Sequence, residues 1–341
     1  MRDVQLSNVL AILLLLSSIV AIPVMGITAQ DWDKNGYSLA QSGNYKEAIA
    51  AFDNALAIDP NNAFTWFNKG NAFIYLGKYE EAIVAYDNGL AIDPNCAVAW
   101  FYMGNALYKL GNYEEAIAAY DNALAINPND AYSWYAKGNA LEELGNYEKA
   151  IVTYDNALAN DPNYTLAWNN KGIALCKLGN YEKAIVTFDK GLANVPNDAY
   201  LWYNKGKALN ELGNYEKAIV AYDNALAIDP SNAGAWNNKG MALTDLGNYE
   251  IAIAAFDNAL AIDPNDAFTW FNKGFALTKL GNYEEAIAAY DNGLAIAPND
   301  TTALRNRELL LNKLSNPSPI SMTLAILGIG LGYFAIRNKR K

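Results

Sequence analysis

The chain has 341 residues, 52% of them hydrophobic, with two cysteines, no histidine and a formal charge of −11. Setting aside Arg2, Asp3 and the four cations of residues 337–341 leaves 20 basic against 35 acidic residues, a balance of −15, with no arginine before Arg305. Without clustered Lys and Arg there is nothing to neutralise a phosphate backbone, which argues against nucleic acid. Without a histidine base, a Gly-x-Ser-x-Gly turn or a phosphate loop, catalysis has no foothold, and no cofactor or metal is expected.

In chain order, the first element is the uncharged run Val9–Ile22, which follows Arg2 and stops at Pro23. Its length is that of a signal-peptide apolar region and is short for a spanning helix. Residues 1–28 therefore read as a signal peptide, with Ala29 as a small residue near the cleavage point. The alternatives are an uncleaved N-terminal membrane anchor and a helix without a targeting role.

From Ala29 to Asp300 the sequence repeats itself. Gly-Asn-Tyr, once Gly-Lys-Tyr, returns every 34 residues from Gly43 to Gly281, and the eight tryptophans and eight of the eleven prolines keep the same beat. A unit of that size falls below the roughly 40 residues that fold unaided, so the units must stack into a solenoid. Eight units follow: 29–62, 63–96, 97–130, 131–164, 165–198, 199–232, 233–266 and 267–300. The first opens with an unusually polar helix (Asp31, Asp33, Lys34, Asn35), suited to a solvent-facing cap. Cys96 and Cys176 lie more than two units apart, too far for a disulfide, and read as packing residues.

The unit 63–96 shows the plan. Trp66, Gly70, Phe73 and Leu76 form an amphipathic helical stripe, and Gly77 ends the helix in a left-handed conformation. Tyr79, Ala82, Ile83, Tyr86, Gly89 and Leu90 form a second stripe, with Glu80 and Glu81 in its first turn and Asp93-Pro94-Asn95 ending it. Gly70 and Ala82 let the two backbones approach, while Trp66 and Tyr86 fill the remaining volume. The recurring Lys69, Lys137, Lys171, Lys205, Lys239 and Lys273 are expected to pack their stems between units with the ammonium in water. The recurring aspartates from Asp53 to Asp291 read as a solvated acidic back.

Trp66, Gly70, Phe73, Ala82, Tyr86 and Pro94, matched equivalently in all eight units, resemble the tetratricopeptide repeat (TPR) pattern. Lysine usually stands where that family has leucine before the glycine. The resemblance implies an all-α fold: an α-solenoid, a right-handed superhelix of eight helix-turn-helix units. It also implies a protein or peptide partner held in a concave groove lined by the first helices.

After Asp300, residues 301–315 supply a capping helix, with Leu304, Leu311 and Leu314 expected to cover the last hairpin. The Pro-Ser linker 316–319 breaks the pattern. Residues 320–336 are uncharged and read as a transmembrane helix of about 25 Å, at the lower limit for spanning a bilayer. The basic tail 337–341 belongs in the cytoplasm under the positive-inside rule, which places the repeats on the extracytoplasmic side. A processed C-terminal sorting tag is the minor alternative. Gly328 and Gly332 have helix-pairing spacing, and Asn163-Tyr164-Thr165 and Asn299-Asp300-Thr301 are glycosylation sequons.

Two columns of the first helices are the candidate ligand residues. One residue after the tryptophan stand Phe67, Phe101, Tyr135, Tyr203 and Phe271, replaced by Asn169 and Asn237. Two residues after it stand Asn68, Asn170, Asn204, Asn238, Asn272 and, in the capping helix, Asn306, with Asn71, Asn105 and Asn139 one turn further along. A carboxamide offers a donor and an acceptor, matching an extended peptide backbone. The chain thus reads as a membrane-anchored interaction scaffold. A glycan-binding array and a structural spacer, its asparagines merely copied by duplication, are the alternatives. The clamp that some TPR proteins place around a terminal carboxylate is not expected, because no Lys or Arg stands directly after the tryptophan.

Overall fold

The computed structural model describes residues 27–315. The apolar run near the N-terminus, the Pro-Ser linker, the span 320–336 and the basic tail lie outside the described residues. Among the described residues there are 17 α-helices, in consecutive pairs with one left over. None of them is long and apolar enough to cross a membrane.

The chain divides into two compact bodies, the first ending at Asn170 and the second beginning at Lys171. In the first body the leading helices of four repeats are Ala29–Gln41, Ala63–Tyr75, Ala97–Lys109 and Ala131–Glu143. Their trailing helices are Tyr45–Ile58, Tyr79–Ile92, Tyr113–Ile126 and Tyr147–Asn160. In the second body the trailing helix Tyr181–Asn194 precedes the pairs that begin with Ala199–Glu211, Ala233–Asp245 and Ala267–Leu280. The helix Thr301–Ser315 completes it. Within each body the leading helices pack on their own trailing helices, and each trailing helix packs in turn on the leading helix that follows it in the same body.

Local chemistry sets the helix ends. The Asn62 side chain accepts the Thr65 amide, and Asp130 accepts the amides of Tyr132 and Ser133; Asp198, Asn232 and Asp266 cap their helices in the same way, whereas Cys96 makes no side-chain cap. At the other end Gly77 sits at φ 71°, where an L side chain would be strained. It lets the Lys78 amide reach the Phe73 carbonyl at 3.0 Å and so close the last turn. The common rhythm of tryptophan and proline has a direct cause. In seven repeats, from Trp66 to Trp270, the indole N–H donates to the carbonyl of the turn proline six residues earlier, at 2.8–3.1 Å. Each tryptophan thereby staples its helix to the turn that launches it.

The close approach inside each pair is as the small residues imply. Ala82 and Tyr86 are fully buried, and a Cβ on Gly70 would stand 2.9 Å from the Tyr86 ring. Any larger residue there must displace a packed aromatic.

Three expectations are corrected. First, the lysine ammonium groups are not simply solvated. Lys69, Lys137, Lys205, Lys239 and Lys273 each pair at 2.5–2.6 Å with the aspartate sixteen residues earlier, on the preceding trailing helix. Each also stands over its own repeat's tryptophan, 4.8–5.5 Å from the ring centroid. Second, the aspartate column is accordingly a row of junction clips rather than an unpaired acidic back. Arg307 continues it by bonding Asp291. Asp87 departs from the pattern, because Met103 occupies the place of its lysine, and burial raises its pKa. Third, the final helix buries Ala303 and Leu310, whereas Leu304, Leu311 and Leu314 remain 37–43% exposed. It docks in the register of a ninth leading helix, with Arg307 at the lysine position, and that register turns the three leucines outward.

Candidate functional site

The face made by the leading helices carries a recurring notch. Its floor is the aromatic four residues after the recurring alanine of a trailing helix. One wall is the asparagine two residues after the next repeat's tryptophan. Around Phe52 and Asn68 the notch measures about 470 Å³, with Tyr37, Tyr45, Asn71 and Tyr75 at its sides. Around Phe188 and Asn204 it measures about 250 Å³, bordered by Ile173, Cys176, Lys177, Lys207 and Glu211. Around Phe256 and Asn272 it measures about 160 Å³, bordered by Met241, Thr244, Asp245 and Phe275.

All three floors are phenylalanine. Where repeats two to four carry tyrosine at the same position, its hydroxyl reaches across to the leading helix. Tyr86, Tyr120 and Tyr154 donate to the Oδ1 atoms of Asn71, Asn105 and Asn139 at 2.6, 2.8 and 2.8 Å. Tyr154 also reaches Glu142 at 2.9 Å. Burial, joined at Tyr154 by the Glu142 carboxylate, pushes the pKa values of these phenols far up, so they remain donors.

The expected carboxamide column is therefore partly committed to the protein itself. Asn71, Asn105 and Asn139 serve as acceptors for tyrosine. Asn170 donates to Asn139 at 3.0 Å and to the Tyr135 hydroxyl at 3.1 Å. Asn238 donates to the Tyr203 hydroxyl at 3.2 Å, Asn272 to Asn237 at 3.0 Å, and Asn306 approaches Tyr290 at 3.5 Å. Asn68 makes no side-chain hydrogen bond among the described residues, and both it and Asn204 face a notch.

The aromatic column lies deeper than expected. Phe67 is only 7% exposed and presses on Gly89, where a Cβ would come within 2.4 Å of its ring. Phe101, Tyr135, Tyr203 and Phe271 are half-buried, each with its ring 5.9–6.4 Å from the tyrosine of its own trailing helix. These side chains pack helix against helix, and Phe67 presents no surface to a ligand.

Residues absent from the sequence-based selection define the notches instead. They stand five and nine places after the tryptophan: Tyr37, Ile173, Lys207, Met241 and Phe275 at the first position, Gln41, Tyr75, Lys177, Glu211 and Asp245 at the second. In an array whose repeats otherwise copy one another, their variety was the available signal. Among the described residues no three metal-ligating side chains gather into a site.

Models of the TPR repeat match residues 36–73, 70–111 and 104–145, and models of the tetratricopeptide repeat match 135–199, 170–233, 203–267 and 267–300. No curated protein matches the chain. Among solved structures, a tetratricopeptide repeat protein from Parabacteroides merdae ATCC 43184 is similar at 17% identity and TM-score 0.53, over 73% of this chain and 99% of that one. A chain of the APC/C hetero-tetramer Cut9–Hcn1 is similar at 22% identity and TM-score 0.52, over 78% of this chain and 52% of that one, about half its length. These two likenesses concern the fold alone. YrrB, described as a TPR protein with an unusual peptide-binding site, is similar at 25% identity and TM-score 0.49, over 56% of this chain and 99% of that one.

Proposed function

Because the chain belongs to the tetratricopeptide repeat family, we propose that it is a protein-interaction scaffold that holds extended polypeptide segments on the leading helices of each body. The recurrence of one notch design in repeats one, five and seven carries this reading: an apolar floor, an asparagine wall and a rim that changes from repeat to repeat. The floor accepts a side chain, and the asparagine bonds peptide N–H or C=O groups beside it. The varied rims give different side-chain preferences to a common backbone grip.

The test is photo-crosslinking from a benzoylphenylalanine placed at Tyr75, with sequencing of the captured chains. Replacing Asn68, Asn204 and Asn272 together by alanine should reduce capture at least tenfold. Undiminished capture overturns the peptide grip, and labelling by glycans instead of peptides replaces it with sugar binding.

The sequence supports a second part of the proposal. The apolar segment 320–336 and the basic tail 337–341 tether the repeats to a membrane on its extracytoplasmic side. Tethering raises the local concentration of partners. Protease added to intact cells should then digest the repeats, and full protection would overturn that orientation.

A further inference from the structure

We infer that the notch of the first body is a subsite for an aromatic side chain. This deepens the reading above and rests on it. Four tyrosines converge there: Tyr37, Tyr45, Tyr75 and Tyr102. Tyr45 and Tyr75 stack with centroids 4.7 Å apart and planes within 5°, which makes a flat wall. Tyr37 and Tyr75 are 53% and 69% exposed, a large apolar area left in water. Tyr102 stands where most other repeats carry the ladder asparagine.

The lining is uncharged throughout. A lysine or arginine of the ligand would find no carboxylate in the notch, and an aspartate or glutamate would find no cation. A neutral side chain is what the site can desolvate without leaving an unpaired charge. Its volume of about 470 Å³ falls within the range of small-molecule pockets, roughly 300–1,000 Å³. That is generous for a methyl-bearing side chain and suited to a ring, which would meet tyrosine faces and edges on several sides. Polar groups are in place for the flanking backbone. Among the described residues Asn68 is without a side-chain partner, and Asn71 spends its oxygen on Tyr86 while its amide N–H₂ group makes no hydrogen bond. The notch over Phe188, with Lys177, Lys207 and Glu211 on its rim, lacks this neutral aromatic character.

The experiment is ligand-observed NMR on the full chain with acetyl-Ala-Trp-Ala-amide and its Ala, Lys and Glu counterparts at the central position. The tryptophan peptide should bind at least tenfold more tightly than the other three. Tyr75→Ala should remove that preference, and Tyr200→Ala, at an exposed tyrosine of the second body, should leave it intact. Tyr75 lies at the surface, so its replacement does not threaten folding, and an unchanged amide spectrum checks this. Equal binding of the Trp and Ala peptides, preference for the Lys or Glu peptide, or indifference to Tyr75→Ala overturns the subsite. If that happens while crosslinked capture still depends on Asn68, the general peptide grip survives. If the tryptophan preference holds but no polypeptide is captured, the subsite stands and the grip falls.

Discussion

Repeats two to four and repeats one, five and seven share a backbone plan, yet the buried ring of the trailing helix is a hydrogen-bonded tyrosine in the first group and a phenylalanine that floors a notch in the second. The difference is one oxygen atom. Tyr86, Tyr120 and Tyr154 spend a hydroxyl on Asn71, Asn105 and Asn139. Phe52, Phe188 and Phe256 have none to spend, and the residue fifteen places earlier is Tyr37, Ile173 or Met241. The hydroxyl would be costly to bury without an acceptor, which explains why the two positions change together in six of the eight repeats. The pairing is not strictly two-valued: Tyr222 lies opposite Lys207, and Tyr290 lies opposite Phe275 and accepts from Asn306 of the final helix at 3.5 Å. A solenoid can thus vary its binding surface without disturbing its stack, because the switch lies beneath that surface.

The largest effect should come from adding a methyl group under the ring. A Cβ on Gly138 would stand 2.4 Å from Tyr154, and one on Gly172 would stand 2.2 Å from Phe188. On distance alone Gly172→Ala looks worse. However, Tyr154 is pinned by two hydrogen bonds, whereas Phe188 borders a notch of about 250 Å³ into which it can tilt. Gly138→Ala should therefore cost the upper part of the overpacking range, about 2–3 kcal/mol, and Gly172→Ala about 1 kcal/mol. Amide exchange resolved by repeat is the suitable measurement, since neighbouring units need not unfold together. Equal costs would mean that the notch provides no room for relief.

The next effect tests the oxygen itself. Tyr154→Phe removes a hydroxyl shared between Asn139 and Glu142, while Asn170 still donates to Asn139, and should cost about 1 kcal/mol. Conversely, Phe188→Tyr should be destabilising alone and recover by about 1 kcal/mol when Ile173→Asn supplies an acceptor. A double-mutant cycle with no coupling would break the proposed pairing. Amide-exchange protection of the Gly172 and Phe188 region should follow the same order as the stability.

Much of this was legible in advance, and for a specific reason. Helix pairs, their turns and the Gly70–Tyr86 contact are restated in every repeat, so periodicity and small-residue placement determine them. The clips were missed because a lysine and an aspartate sixteen residues apart, across a turn, leave no helical-spacing signal. Phe67 was misjudged because a leading helix packs on two neighbours, and a 3.6-residue stripe does not tell which flank is covered. Asn71 read as a ligand residue because nothing local ties it to Tyr86. The covariation of the two positions in six of the eight copies is visible in the sequence, but only a geometry in which they meet makes it meaningful. As for the notch residues, tyrosine recurs in no other repeat at the positions of Tyr37 and Tyr75, so periodicity does not single them out, and that departure from the repeat is what makes a subsite.

The smallest expected effect lies at the junction of repeats two and three, and it sharpens the same contrast between occupied and vacant partnerships. Asp87 faces Met103 where its counterparts face lysine, and burial alone raises its pKa. A carboxyl group with a raised folded-state pKa opposes folding while ionised. That opposition is present above the folded value, declines as the pH falls through it, and is gone below the unfolded value. Asp87→Asn should therefore stabilise the protein slightly at neutral pH and make no difference in acid. Asp121→Asn, which unpairs Lys137, should instead destabilise at neutral pH. Met103→Lys should restore the missing clip and add about 0.2–1 kcal/mol, the range for exposed ion pairs, lost progressively in high salt. Urea titrations at pH 3 and pH 7, with and without 1 M salt, would separate these cases. If Met103→Lys stabilises equally at both pH values, the gain comes from its stem against Trp100 rather than from the charge, and the clips elsewhere in the array would then be packing devices first and ion pairs second.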